Sequence, residues 1–148
     1  MSIVNVVCSN IIIKDNKILL AKEAKDIAKN RYSFPGGKLE FGESLIEGAM
    51  REAQEETGLN VKPTKLIGIY QRPASSEDSN TTVFCFLSEI ISGKIEISVQ
   101  HPEVIFLSAE EIKKLEELHK LRSHYMLLAI NDYLNNKGIS LDFLTILR

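Results

Sequence analysis

The chain has 148 residues, 44% hydrophobic and 26% charged, which suits one folded domain over 1–148 and excludes disordered or fibrous architectures. Its 18 basic and 20 acidic side chains leave a formal charge of -2, so no general attraction draws it to nucleic acid or an anionic membrane. No apolar run approaches the ~20 residues that span a bilayer, and no basic leader precedes a cleavage site, so a cytoplasmic protein is expected.

The β-branched run Ile3–Ile13 and the apolar run Lys17–Ala21 flank Lys14–Asp15–Asn16, the composition of a hairpin and its turn. Cys8 in the first run and the distant Cys85 suit neither a zinc knuckle nor a redox pair; buried thiols are expected rather than a disulfide. Lys22–Tyr32 is charged and irregular and reads as a loop leading to the punctuation of Pro35–Gly36–Gly37. Ser44–Thr57 carries a helix signature. Ser44 and Glu47 make a capping box, Leu45, Ala49 and Ala53 form a narrow stripe, and Gly58 suits a left-handed stop.

Strands are expected at Lys65–Gln71, Thr81–Ile91, Lys94–Ser98 and Val104–Leu107, with an exposed loop at Arg72–Asn80. Ser108 and Glu111 repeat the capping box and open a second helix; a third is expected near Ser123–Asn136, before Gly138. Strands on both sides of a central helix, then terminal helices, predict an α/β fold: a mixed sheet with helices on both sides.

Chemistry concentrates in Gly37–Leu59. Glu52, Glu55 and Glu56 have the spacing that gathers side chains on one helical face, where like charges repel by roughly 0.2–0.5 kcal/mol per pair. Arg51 is the only base nearby, and a divalent cation would turn that repulsion into binding. Carboxylate oxygens without His or Cys suit Mg2+ or Mn2+ rather than zinc. Gly36 and Gly37 let backbone approach the same place and offer a carbonyl ligand, while Arg51 stands four residues before Glu55 and can orient it. A charged helix face alone is ordinarily just solvated surface. The combination with the loop glycines, Glu43, Arg51 and Gly58 is more specific.

These residues spell Gly-x5-Glu-x7-Arg-Glu-apolar-x-Glu-Glu-x-Gly-apolar, and in this the chain resembles the Nudix hydrolase family; Ala53 stands where the pattern usually carries a larger aliphatic. The resemblance implies a Nudix-type α/β/α sandwich and metal-dependent hydrolysis of a phosphoanhydride with Mg2+ or Mn2+. Carried onto this sequence, it makes Glu52, Glu55 and Glu56 the metal ligands, joined by a carbonyl of Gly36 or Gly37. Glu52 or Glu55 would help deprotonate water and Arg51 would support them. Glu43 either orders the loop or touches the metal. Glu103, in His101–Pro102–Glu103, is the downstream candidate for the base because acids late in the fold approach the site in relatives. His101, His119 and His124 are expected at the surface or in structural or capping roles.

The motif identifies the bond chemistry better than the leaving group. Pro73 lies near a proline marker of ADP-ribose hydrolases, and no tyrosine between Arg72 and Thr82 supports a dinucleoside-polyphosphate hydrolase. Lys22–Tyr32 also lacks the upstream coenzyme A signature. The run from Leu121 to Leu141 is similar to the tail of small bacterial Nudix phosphatases acting on nucleoside tri- and diphosphates and the thiamine-precursor pyrophosphate. Such substrates rank first and ADP-ribose second, with a non-catalytic nucleotide sensor or a protein-recognition module as alternatives of another kind. Tyr70, Phe84, Phe86 and Tyr125 are expected in the core rather than stacked on a base. Monomer and homodimer both stay open.

Overall fold

The computed structural model describes residues 3–25, 29–75 and 79–148. Parts of the two expected loops, at 26–28 and 76–78, lie outside the described residues. The order is β1 (Val4–Lys14), β2 (Lys17–Lys22), β3 (Tyr32–Ser33), β4 (Gly36–Lys38), α1 (Leu45–Thr57), β5 (Leu59–Arg72), β6 (Asn80–Gly93), β7 (Glu103–Leu107), α2 (Ala109–Glu117), α3 (Tyr125–Leu134), β8 (Ile139–Ser140) and a 3-10 turn at Leu141–Phe143. The β1–β2 turn forms where expected: Asp15 and Asn16 both take positive φ, the conformation that joins right-twisted strands by two residues.

The sheet is mixed. Its order runs β3-β2-β1-β6-β5-β8, with β4 added to β1 and β7 to β2. β1 and β6 are parallel from Val4/Asn80 to Ile12/Ser88; the other pairings are antiparallel. Alternation along β1 and β6 sorts their side chains between two cores. Cys8 and Phe86 pack with Ala49 of α1, and Ile12 packs with Ala53, while Ile11 and Cys85 face Met126, Ala129 and Ile130 of α3 and Ile112 of α2. Helices therefore cover both sides of the sheet, as expected. Ala53 is fully buried against this sheet, so its small size brings α1 close to Leu59 and Val61.

Both capping boxes are present, at Ser44/Glu47 and Ser108/Glu111, and Gly58 ends α1 with φ 81°. Three strand expectations need correction. β5 begins at Leu59 rather than Lys65, because Val61 and Leu59 bury against α1 and keep the chain extended from the helix stop onward. Gly36–Gly37 is not only punctuation; with Lys38 it pairs with β1, Ser9 opposite Gly36. Lys94–Ser98 is not a strand. Its alternating Ile95 and Ile97 stay exposed, and the segment is instead a strap whose Glu96 N–H donates to the Thr57 carbonyl at the end of α1 (2.9 Å). Among the described residues, no helix is long and apolar enough to cross a membrane.

The two thiols are free and buried on opposite sides of the sheet. Burial pushes Cys8 up to about 11 and Cys85 up to about 12, so thiolate is scarce at neutral pH. We expect neither to react with a thiol-directed disulfide reagent at pH 8 until denaturant is added. Prompt titration of one thiol in the folded protein would contradict the packing.

Candidate active site

The site forms where β4 and α1 meet. Asn10, fully buried on β1, fixes that junction: its amide N–H donates to the Pro35 carbonyl (2.9 Å), and its side chain donates to Pro35 (3.1 Å) and to the Ala49 carbonyl of α1 (2.9 Å). Ser88 of β6 donates to the remaining Asn10 oxygen at 2.8 Å, so the buried amide is fully satisfied. The polar cross-link joins two strands, the loop before Gly36 and the helix carrying the carboxylates.

Arg51 is the hub of the acidic cluster. Its Nη1 donates to Glu52 (2.8 Å) and to Glu55 (3.1 Å), with Glu40 at 3.5 Å. Its Nε and Nη2 both reach Glu43, and Nη2 also donates to the Lys38 carbonyl (3.2 Å). The expected Arg51–Glu55 contact is thus present, as one strand of a wider fan. Glu43 belongs to this fan: the Arg51 guanidinium beside it holds its carboxyl below the usual range. It also accepts from the Glu40 N–H (2.9 Å), which orders the approach to α1.

The three motif carboxylates stand in different environments. Glu55 is the open one, its side chain 55% exposed. Glu52 is largely covered, and burial pushes its carboxyl upward against the lowering effect of Arg51. It lies directly over Gly37, where a Cβ would come 2.4 Å from its Oε1. Glu56, 10% exposed, points inward. Its Oε2 accepts from the Gly36 N–H at 2.7 Å and its Oε1 lies 3.2 Å from His101 Nε2. Burial raises the Glu56 carboxyl; its carboxylate in turn raises the His101 imidazole.

Of the surface and structural roles open to His101, the structure favours the second: it is largely covered and lies against a motif carboxylate. The missed signal is the strap: Ser98 and His101 close a turn through two hydrogen bonds of 3.0 Å, and the Gln100 carbonyl accepts from Ala24 N–H (3.1 Å). Glu103 follows on β7, its side chain 40% exposed. Its contacts run to Tyr32, whose hydroxyl donates at 2.9 Å, and to Lys22 at 3.7 Å, rather than to the Arg51 fan. His119 and His124 lie on the α2–α3 side, His124 facing Glu116 at 3.8 Å. Phe86 is fully buried, and Tyr70 and Tyr125 are tied into the other core through Asp132 (2.6 Å) and Ser9 (3.1 Å).

The donor set fits a hard divalent cation. Arg51 Nη1 already places a positive group among Glu40, Glu52 and Glu55, and every side-chain donor around it is a carboxylate oxygen. Among the described residues, no three carboxylate, imidazole or thiol groups stand in finished metal-binding geometry. Glu56 stands apart from the Arg51 fan, held by the Gly36 N–H and His101.

The sequence matches the NUDIX domain over residues 3–128. It is 34% identical over 122 residues to an ADP-ribose pyrophosphatase of Methanocaldococcus jannaschii, covering 82% of this chain and 72% of that one. It is also 36% identical over 84 residues to a putative 8-oxo-dGTP diphosphatase of Bacillus subtilis, covering 57% of this chain and 52% of the relative. Among solved structures, a NUDIX hydrolase from Nitrosomonas europaea superposes with a TM-score of 0.87 at 29% identity over 97% of both chains. A MutT protein from Methanosarcina mazei Go1 shares the fold at TM-score 0.76, with 22% identity over 92% of this chain and 97% of that one. The motif on α1, the mixed sheet between helices and the domain match agree: the chain belongs to the Nudix family and is a Nudix hydrolase.

Proposed function

We propose that this protein is a Mg2+- or Mn2+-dependent hydrolase of a phosphoanhydride in a nucleoside tri- or diphosphate or a related small pyrophosphate. The observation that carries the reading is the gathering of Glu52 and Glu55 around one cationic nitrogen, with Glu52 directly over Gly37. Glu52, Glu55 and Glu56 would hold the divalent ion, with a carbonyl of Gly36 or Gly37 as a further oxygen donor. The ion supplies charge to offset that of the phosphate oxygens and makes water a better nucleophile.

The chain's own residues supply orientation. Arg51, held by Glu43 and the Lys38 carbonyl, restricts the rotamers of Glu52 and Glu55, which lowers the cost of ordering them around an ion. Glu52 or Glu55 accepts the proton of the attacking water in this reading. Glu103, engaged by Tyr32 and Lys22, is the second candidate for that role. ADP-ribose stands as the alternative substrate. Its support is the archaeal relative of that name, which matches 82% of the chain, whereas the 8-oxo-dGTP diphosphatase matches 57%.

Separation of all phosphorylated products from a panel of substrates, with phosphate, pyrophosphate and AMP each quantified, tests the proposal. The panel comprises nucleoside tri- and diphosphates, the thiamine-precursor pyrophosphate, ADP-ribose and dinucleoside polyphosphates, each with Mg2+, Mn2+ or EDTA. The expected result is turnover that EDTA abolishes and added metal restores, with the product pattern naming the bond. AMP and ribose phosphate from ADP-ribose alone would select the alternative. Nucleotide binding with no turnover across the panel would move the sensor reading ahead.

A further inference from the structure

We propose that His101 is a positioning residue for Glu56, delivered by the strap outside the motif; this rests on the metal-binding reading above. Glu56 is the only motif carboxylate that Arg51 does not hold. Its two oxygens are taken separately, Oε2 by the Gly36 N–H at 2.7 Å and Oε1 by His101 Nε2 at 3.2 Å. Two donors on opposite oxygens fix the carboxylate plane, and each oxygen keeps a lone pair for another partner.

Both donors are themselves anchored. The Gly36 amide follows Pro35, whose carbonyl Asn10 holds twice. His101 sits in the turn closed with Ser98, on a strap fastened to α1 through Glu96 and Thr57 and to the β2–β3 connection through Gln100 and Ala24. The strap crosses the C-terminal end of α1 so closely that a Cβ at Gly58 would come 2.5 Å from the Lys94 carbonyl. His101 is therefore placed by the scaffold rather than free to swing. The role needs only an N–H donor at Nε2. Partners that orient a ligand in this way commonly carry 10–100-fold in metal affinity or activity.

The test compares two amides at this position, with Mn2+ alone as the probe of binding and, for kcat and KM, the substrate that the panel above shows to be turned over. Gln places its side-chain nitrogen near the imidazole Nε2 position, whereas Asn is one methylene shorter and cannot reach Glu56. Mn2+ affinity by calorimetry and kcat at saturating Mn2+ are read together, with Tm in EDTA as the folding check. His101→Asn is expected to lose 10–100-fold in Mn2+ affinity and in kcat with little change in KM, and His101→Gln to stay within a few-fold of wild type. Equal Mn2+ affinities for the Asn and Gln variants would overturn the inference alone. Wild-type protein that binds no Mn2+ would remove the metal reading of the site, and this inference with it.

Discussion

Glu55→Gln is expected to lower kcat by about 10²–10³-fold while leaving Tm nearly unchanged, and Glu52→Gln to lower kcat at least as much. The two residues accept from one nitrogen of Arg51, so each substitution removes a negative oxygen from the same small volume. Gln keeps the shape and can still accept from Arg51, which isolates charge as the cause of any loss. Stability separates the two variants. Glu55 is more than half exposed, and a surface substitution there falls within about 0.5 kcal/mol. Glu52 is covered and its carboxyl is raised by burial, so a neutral amide relieves part of that cost even as it removes function. Circular dichroism melts beside steady-state kinetics provide the check. Full activity in either purified variant would show that the fan around Arg51 is not the reacting centre.

The neighbouring glycines should fail in opposite ways. At Gly36 a Cβ would come 2.5 Å from the Cys8 carbonyl and 2.8 Å from Ser9 Cα, which are backbone atoms of the central strand. Gly36→Ala must therefore push β4 away from β1 and break the Ser9–Gly36 register, with a loss of about 3 kcal/mol or more by analogy with overpacked cores. At Gly37 the obstruction is the Glu52 carboxyl, the far end of a flexible side chain. Gly37→Ala should fold with modest loss, because Glu52 can rotate, and should lose catalysis because it has rotated. The expected pattern is a low Tm for Gly36→Ala and a near-native Tm with kcat down at least 10-fold for Gly37→Ala. Chemical denaturation and kinetics on both proteins read it. Identical behaviour of the two variants would mean that Gly37 does not shape the position of Glu52.

The parts of the molecule legible in the sequence are those encoded by neighbours in the chain. Both capping boxes, the stop at Gly58 and the Asp15–Asn16 turn need only a few consecutive residues, and all are found. The Glu52–Glu55 pair on Arg51 is legible for the same reason, since helical periodicity brings it together, whereas Glu56 turns to Gly36 and His101. What escaped depends on distant segments. Lys94–Ser98 alternates like a strand, yet no strand edge receives it, and the hydrogen bond from Glu96 to Thr57 commits it to the helix end instead. His101 carries no local mark of its role because the strap's path decides it. Asn10 looks like one polar interruption in an apolar run. Only the fold shows that Pro35, Ala49 and Ser88 meet there.

The parallel pairing of β1 with β6 also sets the order in which the molecule can be built. β1 precedes all its partner strands, and it can form a hairpin with β2 as soon as both are made. Its other edge waits for Asn80–Ser88, so the middle of the sheet closes only after α1 and β5 have been synthesised. Ser88, which completes the Asn10 cross-link, arrives with that same strand. Until then the Asn10 side-chain oxygen lacks its donor and α1 has only part of a sheet to rest on. A chain truncated before β6 would hold every motif residue and still lack a settled place for them, so the site cannot form ahead of the sheet beneath it.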